Sequence, residues 1–381
     1  MIETNVRNFY VLVAGGSGGH INPALALHEE LIDFKNTKTI FFTDIRGMAY
    51  LNGIEKTDIH IIKSSSPFKS GTYHKIFFIF YILIGFFQSI FKLIKLRPKL
   101  IISFGGYTSI PSCLAAYFLR IPVIIHEQNS IMGRANRLLS YFASSILTSF
   151  DNTKQLNTKH NQKVNIVGLP IRKNIKYLRS KYTPTRNEKK FNILVIGGSQ
   201  GAKVFNDLIP EIISTLPTHL KKKVVIKQNC LAGYEQILQS KYEQIGIECE
   251  IQSYFKNIGS LISDSDLIIS RAGATTVFEI CAIGRASILI PMAHALDGDQ
   301  LYNAEYLAQH DACILYDEKN INNSEFSYQL QELILNKNKL VFVSNCAHRI
   351  GANDATIKIM KIMQHGHGKL VETKASLMLM M

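Results

Sequence analysis

Tryptophan is missing from this 381-residue chain, and cysteine, proline and acidic side chains are all sparse. The six cysteines (Cys113, Cys230, Cys249, Cys281, Cys313 and Cys346) stand far apart and never form C-x-x-C. That spacing argues against a zinc ribbon or a disulfide framework, and for small buried thiols in a reducing compartment. No signal peptide is expected either, because the N-terminal apolar run "FYVLVA" is too short for an h-region and ends in glycines. The cytoplasm is therefore the expected compartment. Acidic residues number 29 against 43 basic ones, for a net charge of +14, and such an excess favours anionic partners: nucleic acid, phosphorylated ligands or an anionic lipid surface. The basic residues are scattered and form no nucleic-acid-binding motif, so no nucleic-acid partner is expected.

Internal repetition organises the chain. "FYVLVAGGSGGH" (9–20) and "FNILVIGGSQGA" (191–202) share one layout at an offset of 182 residues: an apolar run, a glycine-serine turn, then a helix-compatible segment. Two such units in tandem predict an α/β protein of two doubly wound, Rossmann-like parallel-sheet domains. Further apolar runs at 39–43, 99–106, 121–127 and 144–149, and then at 223–227, 267–273 and 286–292, are continuous, as strands buried on both faces should be. The expected boundaries are a first domain over 1–168, a basic, proline-bearing linker over 169–190, a second domain over 191–364 and a tail without assigned structure over 365–381.

Chemistry-bearing residues gather at the glycine turns. "AGGSGGHINPA" (14–24) sets free N–H groups and a helix start where a phosphate can meet them, yet it is neither a dinucleotide fingerprint nor a P-loop. His20 lies at or just before that helix start; it can serve as a neutral proton acceptor or simply cap the helix. His126, Glu127, Gln128 and Asn129 follow a strand, at the end where open α/β sheets bind ligands. In "SRAGATTVFEICAIG" (270–284), Glu279 lies one helical turn from Thr275, so it can accept both hydroxyls of a ribose or face solvent. The strings Asp297-Gly298-Asp299 and Asp264-Ser265-Asp266 are common loop sequences, and no metal is expected.

Seven segments in order, "GGSGGHINPALAL", "SFGGYTSIP", "HEQNSIMGRANRLLS", "GLPIR", "GGSQGA", "SRAGATTVFE" and "IPMAHALDGDQLYNA", resemble the MurG family of bacterial transferases, over roughly residues 10 to 305. The resemblance implies a GT-B fold and transfer of N-acetylglucosamine from UDP-N-acetylglucosamine to undecaprenyl-pyrophosphoryl-muramyl pentapeptide, with inversion and no cofactor. It assigns donor contacts to Ser17, Gly18, Gly19, Asn129, Arg172, Ser199, Phe255, the run Ala274, Thr275, Thr276, Val277, Phe278 and Glu279, and Gln300. Inversion requires a base, for which His20 is the first candidate and Glu127 the second. The same resemblance implies a peripheral position on the cytoplasmic face of the inner membrane, and contacts with the wall-synthesis machinery.

One long apolar run stands out, "IFFIFYILIGFFQSIF" (76–91). As a helix of that length it would rise about 24 Å, short of a hydrocarbon core of roughly 30 Å. Tyr81, Gly85, Gln88, Lys92 and Lys95 recur along it as a polar stripe. The expectation is a crossover helix packed on the sheet by one side. Its remaining apolar surface either rests on an anionic leaflet or is covered by protein.

Overall fold

The computed structural model describes residues 8–34, 36–65, 72–184, 190–198, 202–352 and 354–365. They divide into one unit of Met1–Arg172 with Asp354–Met381 and a second of Lys173–Asn353. In the first, seven strands run β1 (Asn8–Val13), β2 (Thr37–Thr43), β3 (Ile59–Ile61), β4 (Leu100–Ser103), β5 (Val123–Glu127), β6 (Ser145–Thr148) and β7 (Val164–Ile166). They form one parallel sheet in the order β3-β2-β1-β4-β5-β6-β7, with Val11 of β1 opposite Ile40 and Ile101.

Successive strand residues point to opposite faces, and both faces are covered, which is why every position can be apolar. Tyr10, Leu12 and Ala14 pack with Leu27 and Ile359 on one side, while Val11 and Val13 pack with Leu93 and Ala115 on the other. The second unit repeats the plan with β8 (Phe191–Ile196), β9 (Val224–Asn229), β10 (Glu248–Gln252), β11 (Leu267–Ser270), β12 (Ala286–Leu289) and β13 (Ile314–Leu315). Its parallel order is β10-β9-β8-β11-β12-β13. In each sheet the chain builds outward one way, returns to the first strand and builds the other way. The points of reversal, β1/β4 and β8/β11, are where such sheets open a ligand crevice at their carboxyl ends.

Two boundary expectations need correction. Chain order puts the last helix, Ala355–His365, in the second domain, but it belongs to the first unit, where Ile359, Met360, Ile362 and Met363 are buried in the core. Much of the expected linker is part of the second unit. The Arg179 guanidinium donates to the carbonyls of Ala282 and His348, and Tyr182 Oη donates to Asp266 Oδ1 at 2.6 Å.

The apolar run also extends further than expected. Its helix spans Thr72–Leu96, 25 residues, which is about 37 Å and long enough to cross a bilayer; the stretch Phe77–Leu96 has a mean hydropathy of 2.1. Length therefore does not decide the matter, but topology does, because β3 before it and β4 after it lie in the same sheet. Its small and polar side faces inward. Gly85 packs so closely that a Cβ would run into the Lys63 carbonyl oxygen and lie 3.1 Å from Pro111 Cγ. Gln88 Oε1 accepts from the Lys63 N–H at 3.0 Å, and the Ser89 hydroxyl meets Ser112 at 3.2 Å. Phe77, Ile79, Phe80, Leu83, Phe87, Phe91 and Ile94 are all more than half exposed.

Candidate active site

The crevice of the first unit is built from the loops after β1, β2, β4 and β5. Asp44, immediately after β2, holds the first glycine turn: its Oδ1 accepts from the N–H groups of Gly16 at 2.9 Å and Gly47 at 2.8 Å, and its Oδ2 from the Arg46 guanidinium at 3.0 Å. Burial pushes this carboxyl up, but those donors outweigh it and hold it below the ordinary carboxylate range. Gly15 must lack a side chain, because a Cβ there would strike Thr108 Oγ1 from the loop after β4. The helix that follows, Gly18–Leu31, is capped by Ser17 in extended geometry, so His20 is its third residue rather than at or before its start. A Cβ on Gly105 or Gly106 would lie within 3.4 Å of the His20 ring, and both glycines take φ above +80°, a region that suits glycine.

After β5 the side chains divide their work. Glu127 is buried. Its Oε1 accepts from the Asn129 N–H at 3.0 Å, and its Oε2 from the Gly133 N–H at 2.9 Å and Asn136 Nδ2 at 2.8 Å. Burial raises its pKa, against the pull of those donors. Both Glu127 oxygens are engaged inside its own loop, and of the two base candidates Glu127 is buried while His20 is half-buried. His20 Nδ1 lies 3.3 Å from Gln128 Oε1.

In the second unit an amide does for the second glycine turn what Asp44 does for the first. Asn229, the last residue of β9, accepts from the Gly197 N–H at 2.7 Å and donates to the Gly198 carbonyl at 2.8 Å. Ser199 lies outside the described residues. Past β11, the helix Ala274–Ile283 starts at its N-cap Gly273, and Ala274, Val277, Phe278 and Glu279 are buried while Thr275 and Thr276 are half-buried. The loop after β12 is held at several points. Gln300 Oε1 accepts from the Met292 N–H at 3.0 Å and Glu318 Oε2 from the Ala293 N–H at 2.6 Å, while Asn303, in the helix Asp299–Gln309 that follows, donates to the Ala272 carbonyl in the loop after β11 at 3.0 Å. Glu318 is in turn paired with Arg271 at 2.6 Å, and the Arg271 guanidinium sits 4.8 Å from the Phe205 ring centroid. Burial pushes the Glu318 carboxyl up, but Arg271 and the Ala293 N–H bring it below its ordinary value.

Residues 10–148 match the glycosyltransferase family 28 N-terminal domain, and 192–358 the glycosyltransferase family 28 C-terminal domain. A relative from Rickettsia canadensis (strain McKiel), named UDP-N-acetylglucosamine--N-acetylmuramyl-(pentapeptide) pyrophosphoryl-undecaprenol N-acetylglucosamine transferase, is 37% identical over 94% of this chain and 96% of its own. A relative of the same name from Zymomonas mobilis is 32% identical over 95% and 93%. The crystal structure of Acinetobacter baumannii MurG matches at a TM-score of 0.74 and 26% identity, covering 94% of this chain and 99% of that one. The chain belongs to the MurG family.

For this MurG-family glycosyltransferase, the expected donor and base residues fall into two sets, one per unit. The first unit brings Ser17, Gly18, Gly19, His20, Glu127 and Asn129 to the carboxyl ends of β1 and β5, which flank β4, and carries Arg172 at its chain end beyond β7. The second places Ala274–Glu279 after β11 and Gln300 after the adjacent β12, whereas Phe255, buried, follows the far edge strand β10. Sequence reading gave no role to Asp44, Asn229 or Glu318. For Asp44 and Asn229, the available signal was a polar residue directly at the end of a buried strand.

Proposed function

We propose that this transferase moves N-acetylglucosamine from UDP-N-acetylglucosamine to the 4-hydroxyl of the muramyl sugar on undecaprenyl-pyrophosphoryl-muramyl pentapeptide, with inversion. The carrying observation is the agreement of relatives at 32–37% identity over nearly the whole chain, all bearing the name of that transferase, with a histidine held at the switch point of the first sheet. His20 takes the proton of the acceptor hydroxyl as that oxygen attacks the anomeric carbon. The departing diphosphate is stabilised by helix N-termini and by Arg172. Glu279 receives the ribose hydroxyls, Gln300 the sugar, and Phe255 lies beside the uracil. Ser17, Gly18, Gly19, Asn129 and Ser199 complete the donor contacts. The exposed apolar face of the helix Thr72–Leu96, followed by Lys95 and Arg97, rests on the anionic cytoplasmic leaflet that carries the acceptor, so the enzyme is peripheral.

The test is turnover of the lipid-linked acceptor with labelled UDP-N-acetylglucosamine. His20→Ala should cost roughly 10²- to 10⁴-fold in kcat with UDP binding retained, and Glu279→Ala should weaken UDP binding. No disaccharide lipid from folded wild-type protein would refute the reading, and near-normal turnover in His20→Ala would remove the base.

A further inference from the structure

Within the first unit, a hydrogen-bond chain runs from the main chain to His20, and its direction is fixed at every link. It begins at the Gly168 carbonyl, which only accepts, so His126 Nε2, 3.0 Å away, carries the proton. The neutral ring then offers a lone pair at Nδ1. The Gln128 amide nitrogen lies 3.3 Å from that atom, 2.9 Å from the Phe104 carbonyl and 3.2 Å from the His126 carbonyl. Three acceptors around one NH₂ settle the amide orientation; turned over, the amide oxygen would face three lone pairs. Gln128 Oε1 therefore faces His20 Nδ1, and because an amide oxygen only accepts, the proton of neutral His20 sits on Nδ1.

We propose that Gln128, itself oriented by His126, is a positioning residue that holds His20 in the Nδ1–H tautomer and so makes Nε2 the proton-accepting atom. This rests on the reading of His20 as the base. In the transfer step the acceptor O–H bond breaks and its proton goes to Nε2. The oxygen's electron pair forms the new bond to the anomeric carbon, and the electrons of the old glycosidic bond leave with UDP. The resulting imidazolium keeps its Nδ1–H on Gln128 Oε1, a bond that strengthens when the donor is charged. Gly105 and Gly106 leave room for the ring in this orientation, since a Cβ on either would lie 3.3 Å from His20 Cε1 or 3.4 Å from Cδ2. Complete burial drives the His126 pKa down to about 4, which keeps that ring neutral and the chain's direction intact at neutral pH.

Long-range ¹H–¹⁵N correlation spectra of protein labelled at histidine nitrogen test this, with the His20 signals assigned by their loss in His20→Gln. Wild type should show His20 protonated at Nδ1 and bare at Nε2. Gln128→Met should move His20 toward the Nε2–H form and lower kcat about 10- to 100-fold, less than loss of the base itself, with the KM for UDP-N-acetylglucosamine changed by less than about twofold. An Nε2–H tautomer in wild type, or unchanged kcat in folded Gln128→Met, would overturn the proposal. If that variant does not fold, the wild-type spectrum alone decides the tautomer. Near-normal turnover of His20→Ala beside an Nδ1–H wild-type spectrum would instead overturn the base reading, and with it the catalytic purpose of the chain.

Discussion

Lowering the pH from 7.5 to 5 should weaken the first unit, and His126 gives a measurable share of that loss. This imidazole is wholly buried, and burial moves its pKa from 6.5 down to about 4. Between those values the unfolded chain binds a proton at this position and the folded chain does not. Stability from this group is therefore complete above about pH 6.5 and is lost as pH falls toward 4. The full shift corresponds to roughly 3 kcal/mol, of which about 2 kcal/mol has gone by pH 5. Other groups titrate in the same range. His28 and His60 are also lowered by burial and act in the same direction, whereas Glu127, raised by burial, acts in the opposite one. The informative quantity is thus a difference. Urea unfolding followed by far-UV circular dichroism at both pH values, on wild type and on His126→Gln, should show the variant losing about 2 kcal/mol less than wild type on acidification, at unchanged m-value. Equal losses in the two proteins would refute the assignment of a neutral, proton-refusing histidine beneath the crevice.

Gly85→Ala should destabilise the first unit by roughly 1–3 kcal/mol, despite alanine's higher helix propensity, because its Cβ must displace the Lys63 carbonyl or Pro111; a thermal melt above wild type would contradict that packing. Replacing Phe80, Phe87 and Phe91 together by Ser should release the protein from anionic vesicles in a sedimentation assay, since each exposed ring contributes up to about 2 kcal/mol when buried in lipid. UDP affinity should be unaffected, and unchanged sedimentation would mean that this face meets something other than lipid.

The central strands were legible because a parallel sheet covered on both faces demands unbroken apolar runs, and "YVLVA" or "LIIS" meets that demand without tertiary information. Edge strands carry no such signal. Glu248–Gln252 is half-exposed and polar at both ends, and β13 is two residues long, so neither reads as a strand in isolation. For the helix Ala355–His365 the ambiguity is of another kind. Its apolar face would suit either sheet, and only the packing of Ile359 and Met363 beside Leu12 and Leu27 shows which one it covers.

The side chains behind the two glycine turns escaped self-comparison because the crossovers between first and second strands differ in length. The repeat offset of 182 residues becomes 185 between Asp44 and Asn229, so their structural equivalence is invisible to a fixed register. Their chemistry also differs. Asp44 sets a carboxylate directly behind Gly16, which opposes an anion at that turn except where Arg46, bonded to it, offsets the charge. Asn229 holds its turn with a neutral amide and imposes no such penalty. Two turns that read alike in sequence therefore present different fields to a diphosphate, with the second unit's turn the more favourable. An excess of positive charge over the whole chain could not have revealed that asymmetry, since it is decided by one carboxylate after β2 in the first unit and one amide at the end of β9 in the second.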